Sequence, residues 1–203
     1  MNIEPRFFEL ATKIMSEGRT MLKLDRLFTI YQVIQKAEEN TIALEIGVYR
    51  GGTSRFMAIL AAEKSIKVHA IDTFTGHKSA IPVIDGVHRN NIQFTKTSFA
   101  SVNEYLHDLN NITLHQCQIE DFDLSQIQNV SIVHLDTDLK IPTKYALDNI
   151  APRLVRHGVI IVDDYGKVTT PGIRESVSEF LNSNKGVYFS LHLLTSQFLI
   201  IKL

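Results

Sequence analysis

Two short acidic runs hold much of the chemistry this sequence offers. Asp136-Thr137-Asp138 follows the apolar run Ser131–Leu135, and Asp163-Asp164-Tyr165 follows Gly158–Val162. Short apolar runs that break into polar residues read as strands, and if these two are neighbours their tips lie about 5 Å apart. The carboxylates of Asp136, Asp138, Asp163 and Asp164 then crowd one small region, which is unfavourable unless something positive lies among them. Aspartate oxygens suit a hard divalent cation such as Mg²⁺, which keeps coordination positions open for water or substrate oxygens. Helix capping is the plain alternative for Asp136 or Asp163 taken singly; it accounts poorly for all four together. A divalent cation beside a hydroxyl lowers the cost of removing its proton, and a nearby carboxylate can accept that proton. Asp138 is the candidate base, because two residues after Asp136 it points to the same side if the chain is still extended.

A second constellation is Glu45-Ile46-Gly47-Val48-Tyr49-Arg50-Gly51-Gly52-Thr53-Ser54, which closes one apolar run and opens helix-like sequence. Glycines there let backbone approach a ligand closely, and the helix N-terminus that follows favours a negative group such as a ligand carboxylate. Glu45, just inside the strand end, would match the cationic amine of a methionine moiety and repel a dinucleotide pyrophosphate. The glycine spacing also misses the G-x-G-x-x-G dinucleotide fingerprint. Further on, His69-Ala70-Ile71-Asp72-Thr73-Phe74 ends a second run in a carboxylate, placed where α/β folds hold a ribose through its hydroxyls; Asp72 is the candidate. An aspartate after a strand is also a common turn residue, and it is the pairing with the glycine turn that favours the ribose role.

The elements that would position these groups alternate. A helix with apolar positions Leu27, Ile30, Tyr31, Ile34 and Ala37 is expected over 25–39, in a packing role. Strands are expected at 41–46, 66–71, 112–117, 130–135 and 158–162, and helices after the glycine turn to about 63, then near 99–109, 141–154 and 172–183. That alternation implies a parallel sheet covered on both faces. Val187–Leu193 and Gln197–Leu203 are two strand-like runs joined by a link that permits only a hairpin. Thr73 to Thr97 reads as a long loop over the site. The whole is expected to be an α/β, Rossmann-like class I methyltransferase fold, with a mostly parallel seven-stranded sheet, a C-terminal antiparallel hairpin and helices on both faces. It is expected as one domain over 1–203, with an N-terminal helical segment (1–40) and a Rossmann-like core (41–203).

These segments resemble the macrocin-type O-methyltransferases of antibiotic sugar pathways, a family of metal-dependent class I enzymes. The resemblance rests on Glu45–Gly52, Ile71–Gly76, Phe94–Leu106, His134–Leu139, and Pro152-Arg-Leu through Gly158–Gly166 to Pro171-Gly172, in that order and spacing. It implies that Glu45, Gly47, Tyr49, Arg50, Gly51, Thr53, Ser54, Asp72, Thr73, Phe74, Gln118 and Asp136 hold S-adenosylmethionine. It further implies that Asp136, Asp163 and Asp164 bind Mg²⁺ and that Asp138 is the general base. The acceptor implied is a small molecule or glycan with adjacent hydroxyls, a sugar foremost and a catechol as the variant. Lys140 stands where the family commonly has tyrosine, and His157 replaces one glycine of a Gly-Gly pair. Two other readings stay open: a nicotinamide-dependent Rossmann oxidoreductase and a non-catalytic homologue that binds the donor.

Composition sets the outer limits. A chain of 203 residues with 44% hydrophobic content can bury one ordinary core. Lysine and arginine total 21 against 22 acidic residues, so no basic surface announces a nucleic acid partner. Cys117 alone cannot form an internal disulfide and reads as a structural thiol, in keeping with a reducing compartment. The start lacks the pattern of a signal peptide and no segment has the roughly 20 apolar residues of a membrane helix; a cytoplasmic location and no membrane partner are expected. The apolar positions Phe7, Phe8, Leu10 and Ile14 suit either a homo-oligomer contact or packing on the chain's own sheet.

Overall fold

The computed structural model describes residues 4–77, 80–86 and 94–203. Two helices come first, α1 (Pro5–Ser16) and α2 (Leu24–Lys36), followed by β1 (Ile42–Ile46), α3 (Gly52–Ala62) and β2 (Lys67–Asp72). A single helical turn, α4 (Pro82–Asp85), precedes α5 (Phe99–Leu106), β3 (Ile112–Gln116), β4 (Val130–Leu135) and α6 (Lys140–Ile150). The chain closes with β5 (Leu154–Val162), α7 (Pro171–Ser183), β6 (Tyr188–His192) and β7 (Phe198–Lys202). One sheet runs in the order β3-β2-β1-β4-β5-β7-β6. Strands β1 to β5 are parallel, and β7 enters antiparallel between β5 and β6.

Each face of the sheet is covered because its central strands are apolar on both sides. On one face Phe7, Leu27, Ile30, Ile34, Phe56 and Leu60 from α1, α2 and α3 pack on Ala43, Ile132 and Ile161. On the other, Leu147, Ile150, Ile173, Val177 and Phe180 from α6 and α7 pack on Leu44, Val133 and Ile160. Each fully buried side chain of this size contributes about 1.5–3 kcal/mol of hydrophobic stabilisation. The N-terminal apolar stripe is divided: Phe7 and Ile14 are buried against the chain's own core, and Phe8 remains half exposed.

The expected alternation and hairpin are present, with shifted boundaries. Helix α2 ends at Lys36, before the last apolar position expected, Ala37. Strand β5 begins at Leu154, four residues earlier than its apolar run. Its first half includes His157 in the left-handed region at φ 64. This is a conformation glycine adopts without cost and a side chain does not, which is the physical sense of the glycine pair that His157 interrupts. The expected loop over 73–97 is not structureless, since α4 lies within it; residues 78–79 and 87–93 of that loop lie outside the described residues.

The topology places one end of the sheet for binding. From β1 the chain runs outward to β2 and β3, then returns to the other side of β1 with β4. The crevice beyond the strand ends at such a reversal is where open α/β sheets bind ligands. The hydrogen-bond ladder continues one residue past each strand there: Gly47 N–H donates to the Ile71 carbonyl (3.0 Å), Asp136 N–H to Ile46 (2.8 Å) and Asp163 N–H to Leu135 (2.8 Å). Asp136 and Asp163 are thereby fixed on adjoining tips.

Candidate active site

A cavity of about 280 Å³ opens at these tips. Glycine is required where its wall is tightest: at Gly47, with φ +98, an added Cβ would stand 2.0 Å from the Asp136 carbonyl oxygen. The β1 and β4 ends therefore touch backbone to backbone. Tyr49, Phe74, Asp138 and Asp164 also carry positive φ, at 53, 54, 60 and 58. Each immediately follows a strand or its turn. Non-glycine residues held in that region cost about 1–3 kcal/mol apiece and gather at functional sites.

At the glycine turn, Asp72 is a structural anchor. Its Oδ2 accepts from the backbone N–H groups of Val48 and Tyr49 (2.8 Å each) and its Oδ1 from that of Phe74 (2.7 Å). This carboxylate ties β2's end to the turn after β1, and it also lines the cavity. Glu45 is buried and lines the cavity floor. One of its oxygens accepts from the Ser54 hydroxyl, and the other lies 3.3 Å from His134 Nδ1.

Of the residues read as donor ligands, Glu45, Gly47, Tyr49, Thr53, Asp72, Thr73, Gln118 and Asp136 line this cavity. Four others are elsewhere. Arg50 reaches toward the Lys96 carbonyl and stacks on the Tyr49 ring. Gly51 lies against Val102 of α5. Ser54 is buried on Glu45, and Phe74 belongs to the small core of Val48, Ala70 and Val102.

At the acidic end the four aspartates share the same cavity. Asp136, Asp138 and Asp164 can place one oxygen each within 4.8 Å of one another, and so can His134, Asp136 and Asp163 with one ligand atom each. Asp138 reaches this cluster from a left-handed turn residue rather than from extended chain, so the alternation expected for it does not apply although its carboxylate converges with that of Asp136. His77 Nε2 is 3.4 Å from Asp138 Oδ2.

Among the described residues, Arg26 and Lys167 reach this end. Arg26 of α2 donates through one guanidinium nitrogen to Asp163 Oδ2 (2.5 Å) and Asp164 Oδ1 (2.7 Å), and through Nε to the Thr195 carbonyl (3.1 Å). Lys167 Nζ lies 2.7 Å from Asp164 Oδ2 and 2.6 Å from its Oδ1. Burial works against the Arg26 charge, but Asp163 and Asp164 outweigh it and hold the guanidinium protonated. Burial likewise opposes ionisation of Asp164; hydrogen bonds from Lys167 and Arg26 overcome it and keep this carboxyl below the ordinary range. Asp163 is raised by burial in spite of His134 and Arg26. Asp136 is pushed well above the ordinary value by burial and then by Asp163, Asp138, Asp164 and Glu45. The crowding of these carboxylates is what raises Asp136, and a divalent cation among them would relieve it.

Sequence reasoning missed the N-terminal contribution. Arg19, Thr20, Met21, Leu22 and Arg26 all line the cavity, with Gly52 N–H donating to the Arg19 carbonyl (3.2 Å) and the Thr20 and Thr53 hydroxyls 2.8 Å apart. The available signal was Arg26 itself, a charge one turn before Ile30 on the apolar face of α2. His134 is the other omission, a polar residue inside a strand whose positions are all buried.

A family model described as macrocin O-methyltransferase (TylF) matches residues 5–188. Among solved structures the chain is similar to the O-methyltransferase NovP, at 21% identity and TM-score 0.75 over 91% of this chain and 82% of that one. It is also similar to CalS11, a calicheamicin methyltransferase, at 17% identity and TM-score 0.68 over 99% and 94%. A Streptococcus mutans protein in complex with SAH aligns at 17% identity and TM-score 0.58 over 90% and 100%. Identities this low speak for the fold. No curated protein matches the sequence.

Proposed function

We propose, from the premise that this chain belongs to the macrocin O-methyltransferase family and is an O-methyltransferase of class I fold, that it methylates a sugar hydroxyl with S-adenosylmethionine in the presence of a divalent cation. The observation that carries this reading is the position of Asp136, whose backbone abuts Gly47 of the glycine turn while its carboxylate belongs to the acidic cluster. Donor and acceptor sites then share one residue, which brings the reacting atoms together.

The residues divide the work. Gly47, Tyr49, Thr53, Asp72, Thr73, Gln118 and Asp136 would form the donor wall, and Glu45 would offer its carboxylate to the donor's amine. Arg50, Gly51, Ser54 and Phe74 act behind that wall, by holding its turn and strand ends in place. The carboxylate field for a cation such as Mg²⁺ is that of Asp136, Asp163 and Asp164, and it fits because aspartate oxygens suit a hard divalent ion and all three line the same cavity. When bound, such a cation would lower the cost of ionising an acceptor hydroxyl. Asp138 takes the hydroxyl proton, and His77 at 3.4 Å orients that carboxylate. S-adenosylmethionine would supply a methyl carbon activated by its sulfonium, which an acceptor oxygen could take with its own electron pair while the C–S pair would return to sulfur. The lining is mixed, and its hydroxyl, carboxylate and imidazole groups suit a polyhydroxylated acceptor. CalS11, similar in fold, is a TDP-rhamnose 3'-O-methyltransferase, which makes TDP-rhamnose a rational first probe.

Titration calorimetry with S-adenosylmethionine and with NAD, followed by mass spectrometry of TDP-sugars incubated with the enzyme, donor and Mg²⁺, tests the reading. Donor binding and a gain of one methyl group on a sugar are expected. Binding of NAD in place of S-adenosylmethionine would overturn it.

A further inference from the structure

Two aromatic rings near the glycine turn, Phe74 and Phe99, pack with Val48, Ala70 and Val102 into a small core. Phe94 does not. It lines the cavity, is only half buried, and joins none of the three hydrophobic clusters found among the described residues. Its backbone lies in the left-handed region at φ 59, which is unfavourable for a bulky side chain. Such a conformation persists only where its surroundings impose it, and it gathers at sites that clamp a ligand. A ring held this way outside the core serves something other than packing.

The glycine turn imposes it. The Thr97 hydroxyl donates to the Tyr49 carbonyl, and Arg50 Nε donates to the Lys96 carbonyl at 3.3 Å, so the chain just after Phe94 is tied to the residues that follow β1. The Phe94 ring then stands between two others. It meets Tyr49 edge-to-face at 5.2 Å and 85°, and His77 at 4.8 Å and 53°. Tyr49 and His77 also line the cavity, and His77 Nε2 is the atom 3.4 Å from Asp138 Oδ2. The three rings form one wall that begins at the glycine turn and ends at the base.

On the reading above, the reacting hydroxyl lies between the donor's methyl group and Asp138, so the carbon skeleton that carries it runs along this wall. Phe94 has no hydrogen-bonding group with which to read hydroxyls. An aromatic ring takes apolar surface, and the electron-rich face of its π-system suits the C–H groups on the apolar face of a sugar ring. We propose that Phe94 is a specificity-determining residue of the acceptor subsite, the platform on which the sugar's apolar face rests while Asp138 takes the proton of its hydroxyl. This rests on the sugar-methyltransferase reading and gives its acceptor a wall of its own.

The test uses the full chain. Methyl transfer is measured on TDP-rhamnose, or on whichever TDP-sugar gains a methyl group in the assay above, and S-adenosylhomocysteine affinity by calorimetry. Glycine and asparagine both accept a φ near 59, so Phe94→Gly and Phe94→Asn remove the ring without straining the backbone, and either one suffices if the other misfolds. Each should raise KM for the sugar about 10-fold or more while kcat falls by less than about threefold. S-adenosylhomocysteine affinity should stay within about twofold of wild type, and Phe94→Tyr, which keeps a ring, should return KM to within about threefold. An unchanged KM in the ringless variants, or a loss of S-adenosylhomocysteine affinity equal to that for the sugar, would overturn the assignment and leave the methyltransferase reading intact. Wild-type protein that methylates no TDP-sugar would end that reading, and this proposal with it.

Discussion

The glycine turn and the acidic cluster share one cavity but are built in opposite ways. At the turn, charge is satisfied from within: Asp72 accepts three backbone N–H groups and Glu45 sits between Ser54 and His134. At the acidic end, burial and neighbouring carboxylates push Asp136 well above its ordinary value, and Asp163 Oδ1 and His134 Nε2 have no hydrogen-bond partner among the described residues. The first region is finished by the fold alone, so its residues should matter for stability and donor affinity together. The second is left incomplete in a way that a ligand would resolve, so its residues should matter for turnover while costing little stability.

The severest way to break the comparison is to remove the platform under the acidic end. Deletion of residues 198–203 takes away β7, which pairs with β5 on one side and β6 on the other, together with the buried side chains of Phe198 and Ile200. No cooperative thermal transition should remain by circular dichroism; a folded, active truncation would show that the acidic tip stands without it. Next in size, Asp136→Asn and Asp163→Asn should each reduce methyl transfer by about 10²–10⁴-fold, and Asp163→Asn, which lies outside the donor wall, should keep affinity for S-adenosylhomocysteine within about twofold of wild type by calorimetry. EDTA should reproduce that loss reversibly, and full activity in EDTA would remove the cation from the reaction.

Asp72→Ala tests the other region and should invert the pattern. It leaves three N–H groups without their acceptor, so stability should drop by about 1–3 kcal/mol in urea titrations and donor affinity should drop with it. A variant that loses turnover alone would erase the distinction between the two ends. The smallest effect concerns the sheet beside the turn, where His69 of β2 and His115 of β3 stack with ring nitrogens 3.0 Å apart. Burial lowers both pKa values below 6.5, with His115 adding to the shift at His69. The unfolded chain therefore binds protons first as pH falls, and stability present above the ordinary imidazole value is lost below it, by at most about 1.4 kcal/mol per pH unit for each ring. His115→Phe should flatten that slope in melting curves recorded between pH 5 and 7.

Much of this architecture is legible in the sequence because short-range patterns suffice for it. Period and length mark the parallel strands, the brief link after Leu193 marks a hairpin, and acids directly after two apolar runs mark the cavity rim. The missing parts depend on contacts between distant segments. Nothing local to α2 says that Arg26 crosses to Asp163, 137 positions away, and an amphipathic stripe explains the helix without it. Asp72 reads as a ribose ligand from its pairing with the glycine turn, and its anchoring of that turn shows only once the three N–H groups that surround it are located. His134 is silent for the same reason: its neighbour Glu45 lies on another strand, and only register brings them together. Strand β5's early start eludes periodicity because His157 adopts a backbone conformation that its residue type does not advertise.

The strand order also imposes a sequence of events on folding. β6 precedes β7 along the chain but reaches the sheet only through it. Without β7, Tyr188–His192 has no strand to pair with, and Phe189 and Leu191 are about half exposed even in the finished molecule. Unpaired apolar strands of this kind attract other chains. Chains that have made β6 but not yet β7 should thus be the most prone to clump, and chaperone-assisted production should raise the soluble yield by shielding that strand.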